Sequence, residues 1–241
     1  MASATYLSRN DNAVLGALFD PESSLSNSTP VADTLPSNFS STELQDILET
    51  ERRALLPLNV ERPSEDTIAT SISDLDTIIE QWPEYASAWN NRAQTRRMLF
   101  EIQTLHQEIE ALRLIMGDLS QAIALATPQN PSSPVPAAHA KVLASAHTHR
   151  GYLLYAASKS EDLATAMTSS IQSLEGLDSE QLEERASHDF SLGGRYGNDM
   201  ARQLAVRTNP YAKLCGSIVK EAMQKEVMDY NMQIHGMKPA L

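Results

Sequence analysis

The sequence predicts an all-α chain of about three helical hairpin repeats, with a flexible N-terminal segment and a C-terminal capping helix. Three observations predict it. Aromatics make up only 5% of the 241 residues while Ala, Leu, Glu and Gln are plentiful, a balance that favours helices over strands. Apolar residues recur every three or four positions along several stretches separated by proline-bearing turns. The stretch Glu80 to Arg97, EQWPEYASAWNNRAQTRR, runs from the end of one helix through a turn into the next. Pro83 stops the first helix because it lacks an N–H and clashes with the preceding turn. Ala93, four residues after Trp89, is the small residue where the second helix must approach a neighbour closely.

Taken in order, Asp11 to Phe19 reads as a short helix capped by Asp11, with Val14, Leu15, Leu18 and Phe19 on one edge and Asp20-Pro21 as its stop. Nine residues cannot hold a helix alone in water, so this edge must dock, on the chain's own body or on a partner. Pro21 to Ser40 is rich in Ser, Thr, Pro and Asn and reads as a flexible linker. Residues 1–40 thus form the N-terminal segment, 41–208 the repeats, and 209–241 the capping helix and tail. Thr42 to Leu56 and Asp66 to Gln81 form repeat one, with Ser71 and Leu75 at the paired small and large positions of its second helix. Ala86 to about Phe100 opens repeat two. From Ile102 to Ala126 the apolar residues alternate spacings of three and four. Such a seam suits either a coiled-coil dimer strand or an over-long second helix lying on its neighbours. No Gly or Pro places the turn before it.

Thr127 to Pro136 holds four prolines and reads as a loop. Ala137 to Ala157 begins repeat three, with Arg150-Gly151 placed as Arg92-Ala93 are in repeat two and His147 in the position of Trp89. Ser160 to Leu174 reads as an inserted helix. Glu180 to Tyr196 is the partner helix, with Ala186 and Phe190 at the small and large positions. Asn198 to Arg207 is a short helix. Asn209-Pro210 then starts the last one, Tyr211 to about Asp229, which would cover the open end with Leu214, Cys215, Ile218, Ala222 and Val227 turned inward.

The net charge of −12 repels phosphate backbones and argues against a nucleic-acid partner. A single cysteine, Cys215, rules out an internal disulfide and suits a reducing compartment. No apolar run reaches the roughly eighteen residues of a membrane helix, and Met1 to Asn10 lacks the pattern of a signal peptide. These features point to a cytoplasmic protein off the membrane, with the nucleus also open to it.

The Pro, the Trp and the small residue four later match part of the tetratricopeptide repeat pattern, with Arg92 standing where that pattern has Leu and Arg96 where it has Tyr. Three blocks in order, DNAVLGALFDP, YASAWNNRAQTRR and DFSLGGRYGNDMARQLAVRTNPYAKLC, together resemble the tetratricopeptide repeat protein 36 family. The resemblance implies three repeats, a C-terminal NPYA-x-LC segment and a small cytosolic adaptor without enzymatic activity. It also implies links to Hsp70-type chaperones and to tyrosine catabolism. The long insertions depart from the animal pattern.

Repeats of this type bind peptides in a groove lined by the first helix of each hairpin. That face is expected to present Asn90, Asn91, Gln94 and Arg97 from repeat two, and Ser145, Thr148, His149, Tyr152 and Tyr155 from repeat three. Amides and guanidinium groups suit peptide backbones and carboxylates because they offer several donors at fixed geometry. The plainer alternative is a solvated helix face. Of the five residues of a chaperone carboxylate clamp only Asn91 has a match, since His149 and Ser145 stand where Arg and Lys are wanted, so a working clamp is not expected. His139, His147 and His149 lack Cys or carboxylates at ligand spacing, and neither metal nor other cofactor is expected. Gly193, Gly194 and Gly197 suit close helix packing and not a phosphate loop. The reading is a monomeric, non-enzymatic adaptor for a protein or peptide partner. The alternatives are a homodimeric scaffold built on the seam, and an enzyme or small-molecule binder using the groove.

Overall fold

Ser40 sets the start of the repeats. Its hydroxyl accepts a hydrogen bond from the Glu43 N–H while the Glu43 carboxylate accepts from the Ser40 N–H, a capping box that opens α1 (Ser41–Leu55). The computed structural model describes residues 31–32, 38–130, 133–209, 216, 218–228 and 230. The Asp11–Phe19 segment and Leu214 and Cys215 lie outside the described residues. Ser64 caps α2 (Glu65–Gln81), and Trp82 ends it ahead of Pro83. Leu44, Ile47 and Ala54 of α1 close on Leu75, Ile78 and Ile79 of α2, and Tyr85 and Ala88 complete this first core.

Repeat two is α3 (Ala86–Arg97) and α4 (Ile109–Ala126). The turn the sequence does not mark lies between them and contains a 3-10 turn, Leu105–Gln107, whose Leu105 is fully buried. The apolar seam is therefore largely internal, with Ile109 half exposed at the start of α4. Ile102 and Leu105 precede the helix, and Leu112, Met116 and Leu119 are buried in the chain's own core. Trp89 packs against both cores and donates its indole N–H to the Pro83 carbonyl at 2.9 Å, joining repeat one to repeat two.

Repeat three pairs α5 (Ala137–Ser158) with α7 (Ser179–Arg195), and α6 (Glu161–Ser170) is inserted between them. Leu163, Ala166 and Met167 dock α6 on the core. Phe190 and Ala186 are fully buried, and Gly151 lets α5 approach them, since a Cβ there would stand 3.0 Å from the Phe190 ring. Asn198 caps α8 (Asp199–Thr208), which crosses α7 at Gly193 and Gly194.

Two expectations need correction. Val31–Ala32, inside the expected flexible linker, pairs in parallel with Val135–Pro136, and Phe39 packs edge-on against Tyr85, so the approach to α1 is tied down at two points. The C-terminal stretch 218–228 is helical, but Ile218, Ala222 and Val227 are exposed, not turned inward. Among the described residues the cover on the last hairpin is α8, through buried Ala201, Ala205 and Thr208. The two-residue ladder is the only strand pairing among the described residues, and the all-α reading stands. No helix among them is long and apolar enough to cross a membrane.

Candidate peptide-binding groove

The first helices of the three hairpins line a groove of about 620 Å³. Each contributes residues three, four and seven apart, which lie on one helical face. From α1 come Leu44, Leu48 and Glu51; from α3, Ser87, Asn90, Asn91 and Gln94; from α5, Ala138, Lys141, Val142 and Ser145, with His139 beside them. Gln94 spans the floor and donates to the Ser145 hydroxyl at 2.6 Å.

Glu51 is the centre of the polar end. It is buried, and its donors are all neutral: the Tyr85 hydroxyl at 2.7 Å, the Asn91 amide at 2.9 Å, and Ser87. Burial raises its carboxyl pKa above the usual range, and these donors offset only part of that rise. Burial and the adjacent carboxylate likewise raise the Tyr85 hydroxyl. A carboxylate accepts only, so Asn91 must give it Nδ2. Asn91 Oδ1 then accepts from Asn90 Nδ2 at 3.4 Å. Asn90 is buried, and its Oδ1 has no hydrogen-bond partner.

The expected groove residues separate into four environments. Asn90, Asn91 and Gln94 line the groove. His149 and Tyr152, with Thr148, line a second depression of about 740 Å³ between α5 and the start of α8. The reason is length: α5 begins about two turns earlier relative to its small residue Gly151 than α3 does relative to Ala93. Those added turns, with Ser145, face α3, and Thr148, His149 and Tyr152 face α8. Arg97 donates to the Phe100 carbonyl and lies outside both linings, close enough to His149 to depress its pKa. Tyr155 is a correction. It packs on the core with its ring 6.4 Å from Phe190, and Lys159 lies over its outer face. The residues missed by sequence reasoning are Glu51, Leu44, Leu48 and Lys141. One signal was available for Glu51: buried Ala54 follows it by three, as Ala93 follows Asn90 and Gly151 follows Thr148.

Among the described residues no three His, Cys, Asp or Glu side chains converge as a metal site. His147 instead directs Nδ1 at Asp189, 2.8 Å away.

The L-tyrosine degradation gene cluster protein hmgX of Aspergillus fumigatus is 42% identical to this chain, with 93% of this chain and 95% of the relative covered. Tetratricopeptide repeat protein 36 of Xenopus tropicalis is 30% identical over 90% of this chain and 87% of its own length. The human protein of that name is 25% identical over 89% and 93%. No family model matches the chain, and no solved structure matches it. Similarity that runs nearly end to end, together with three hairpins joined by buried small residues, places this chain in the tetratricopeptide repeat protein 36 family.

Proposed function

We propose that the chain is a non-enzymatic adaptor that holds a segment of a partner protein in the α1–α3–α5 groove and works alongside the enzymes of L-tyrosine breakdown. The observation that supports this most directly is the groove itself: three helices present matching faces, and its polar end offers amides suited to a peptide backbone. Glu51 has a raised pKa and holds the Tyr85 and Ser87 hydroxyls, a cluster that makes a binding feature of the groove and not a catalytic one. The link to tyrosine breakdown rests on the name of the fungal relative. A link to an Hsp70-type chaperone follows from the family resemblance alone. It would use a surface other than a carboxylate clamp, because the groove presents Glu51 to an incoming C-terminal carboxylate.

The test is binding of the intact chain to purified enzymes of tyrosine breakdown and to an Hsp70-type chaperone, measured beside the Asn91→Ala/Gln94→Ala variant. Binding to one of these proteins that falls at least tenfold in the variant, with the helical content unchanged, supports the reading. Binding that the variant leaves unchanged sinks the groove as the site. Turnover of a tyrosine-pathway metabolite by the chain alone sinks the non-enzymatic part.

A further inference from the structure

The groove's polar end is organised to accept hydrogen bonds. Donors are consumed inward along one chain: Asn90 Nδ2 to Asn91 Oδ1, then Asn91 Nδ2 to Glu51 Oε1, with the Tyr85 hydroxyl on Glu51 Oε2. Two acceptors stand at the two ends of that chain. One is the Asn90 Oδ1, on a residue only 5% exposed and without a partner. The other is the Glu51 carboxylate, on a residue 7% exposed and held by neutral groups alone. Buried amide oxygens are ordinarily bonded and buried charges ordinarily paired, so both are built for a donor that arrives from outside, and the second for a cation. The other titratable groups on the lining, His139 and Lys141, stand on the α5 wall, and neither is bonded to Glu51.

An apolar shelf adjoins this end. Leu48, half exposed, and Leu44 stand one and two helical turns before Glu51 on the same face of α1. The rise from Leu48 to Glu51 is about 4.5 Å, and that from Leu44 about 10.5 Å. In an extended peptide, side chains two residues apart project from one face at about 7 Å, between these two spacings.

From this arrangement we infer that the groove selects an internal peptide segment carrying a lysine or arginine, with an aliphatic residue two positions away. Glu51 and the Asn90 carbonyl receive the cationic head, and Leu44 and Leu48 receive the aliphatic residue. The chain's net charge of −12 favours the approach of such a basic segment. The inference rests on the groove being a peptide site. It adds the charge of the ligand, which is opposite to that of a C-terminal carboxylate.

The probe is a library of random heptapeptides, one set acetylated and amidated and a second set with free C-terminal carboxylates, panned on the immobilised full chain. Retained peptides are expected to come from the capped set, with Lys or Arg enriched at one position and Leu, Ile or Met two residues away. For the best binder, replacing its basic residue by norleucine is expected to weaken binding about tenfold or more, the order seen when one partner of a desolvated charge pair is removed. Glu51→Gln is expected to lose as much, and the two changes together no more than either alone. Gln94→Lys, which sets a cation in the groove without touching Glu51, is expected to weaken the same peptide, with circular dichroism confirming the fold of both variants. Retention of acidic or free-carboxylate peptides, or an unchanged affinity in Glu51→Gln, overturns the inference and leaves the groove as a peptide site. Retention of no peptide of any charge overturns the groove reading and the inference together.

Discussion

Arg150 holds Asp189 with two parallel hydrogen bonds, Nε to Oδ2 at 2.8 Å and Nη2 to Oδ1 at 2.7 Å, tying α5 to α7. The previous repeat builds the same joint: Arg92 reaches Asp118 at 3.0 and 2.6 Å, tying α3 to α4. In both repeats the arginine immediately precedes the small residue, Ala93 or Gly151, at which the helices come closest. This accounts for Arg92 standing where the repeat pattern has Leu. The second helix supplies a buried aspartate, and a planar guanidinium fits it with two donors. Arg92 also lies over the Trp89 ring, 4.7 Å from its centroid, so one side chain serves the joint and the repeat boundary.

Removing Arg150 should therefore cost more than a surface charge would. Arg150→Met leaves Asp189 buried with His147 as its main remaining partner, and a loss of about 3 kcal/mol is expected. Arg150→Met/Asp189→Leu should recover part of it, because no charge is then left unpaired. Urea unfolding of both variants checks this, and a double variant less stable than the single one would show that the aspartate does not depend on Arg150. Burial alone would raise the Asp189 pKa; the hydrogen bonds from Arg150 and His147 outweigh burial, and the pKa is lowered below 3.8. The stabilisation from this group is thus complete above the ordinary carboxyl pKa and is lost only as pH falls through the depressed value.

Three helical glycines should respond differently to alanine. A Cβ on Gly194 would stand 3.0 Å from the Arg202 Cα, which is backbone, so Gly194→Ala should push α8 away and destabilise by about 1–3 kcal/mol. Gly193→Ala would meet the Thr148 hydroxyl at 2.7 Å, and a second substitution, Thr148→Ala, should rescue part of its loss. Gly117, inside α4, has nothing within 4 Å of its missing Cβ, so Gly117→Ala should stabilise by roughly 0.5–1 kcal/mol. Thermal melts that order the variants otherwise would mean the α7–α8 crossing is not this close.

These joints show what a single sequence makes legible. Helix identity follows from period and proline placement, so α1, α2, α5 and α7 were readable to within two or three residues. The turn between α3 and α4 was not, because it is held by one buried leucine, Leu105, which reads as a continuation of the apolar seam. Asn90, Asn91 and Gln94 were placed on the groove face by local spacing. Glu51 was legible only through its spacing to the buried small residue Ala54, and Lys141 lies in the added turns of α5 that have no counterpart in α3. Tyr155 was assigned to the groove face by the same helical spacing, but its ring packs against the core beside Phe190.

The seam in α4 yields a discriminating pair of substitutions. Leu112 is fully buried, and Ile109, one turn earlier on the same seam, is half exposed. Leu112→Glu should unfold the chain, because it places a charge in the core. Ile109→Glu should change stability by less than about 0.5 kcal/mol and leave the sedimentation mass unaltered. A mass that halves in Ile109→Glu with the fold intact would restore the coiled-coil dimer.

The acid response should separate two groups of opposite sign. His149 has a buried Nδ1 without a partner, and burial, followed by the Arg97 charge, lowers its pKa from 6.5 to about 4. Between those values the unfolded chain binds a proton that the folded chain does not. The stability this group contributes is complete above pH 6.5 and is lost as pH falls toward 4, at most about 3 kcal/mol for such a shift. Glu51 acts the other way: its folded pKa is raised, so the folded chain takes up its proton first and gains stability as pH falls through that raised value. His149→Gln should therefore flatten the loss measured by urea unfolding between pH 7.5 and 4.5, and Glu51→Gln should steepen it. If Glu51→Gln left the slope unchanged, the carboxyl would be no harder to ionise in the groove than in water, and the case for a cation-seeking site would lose its electrostatic basis.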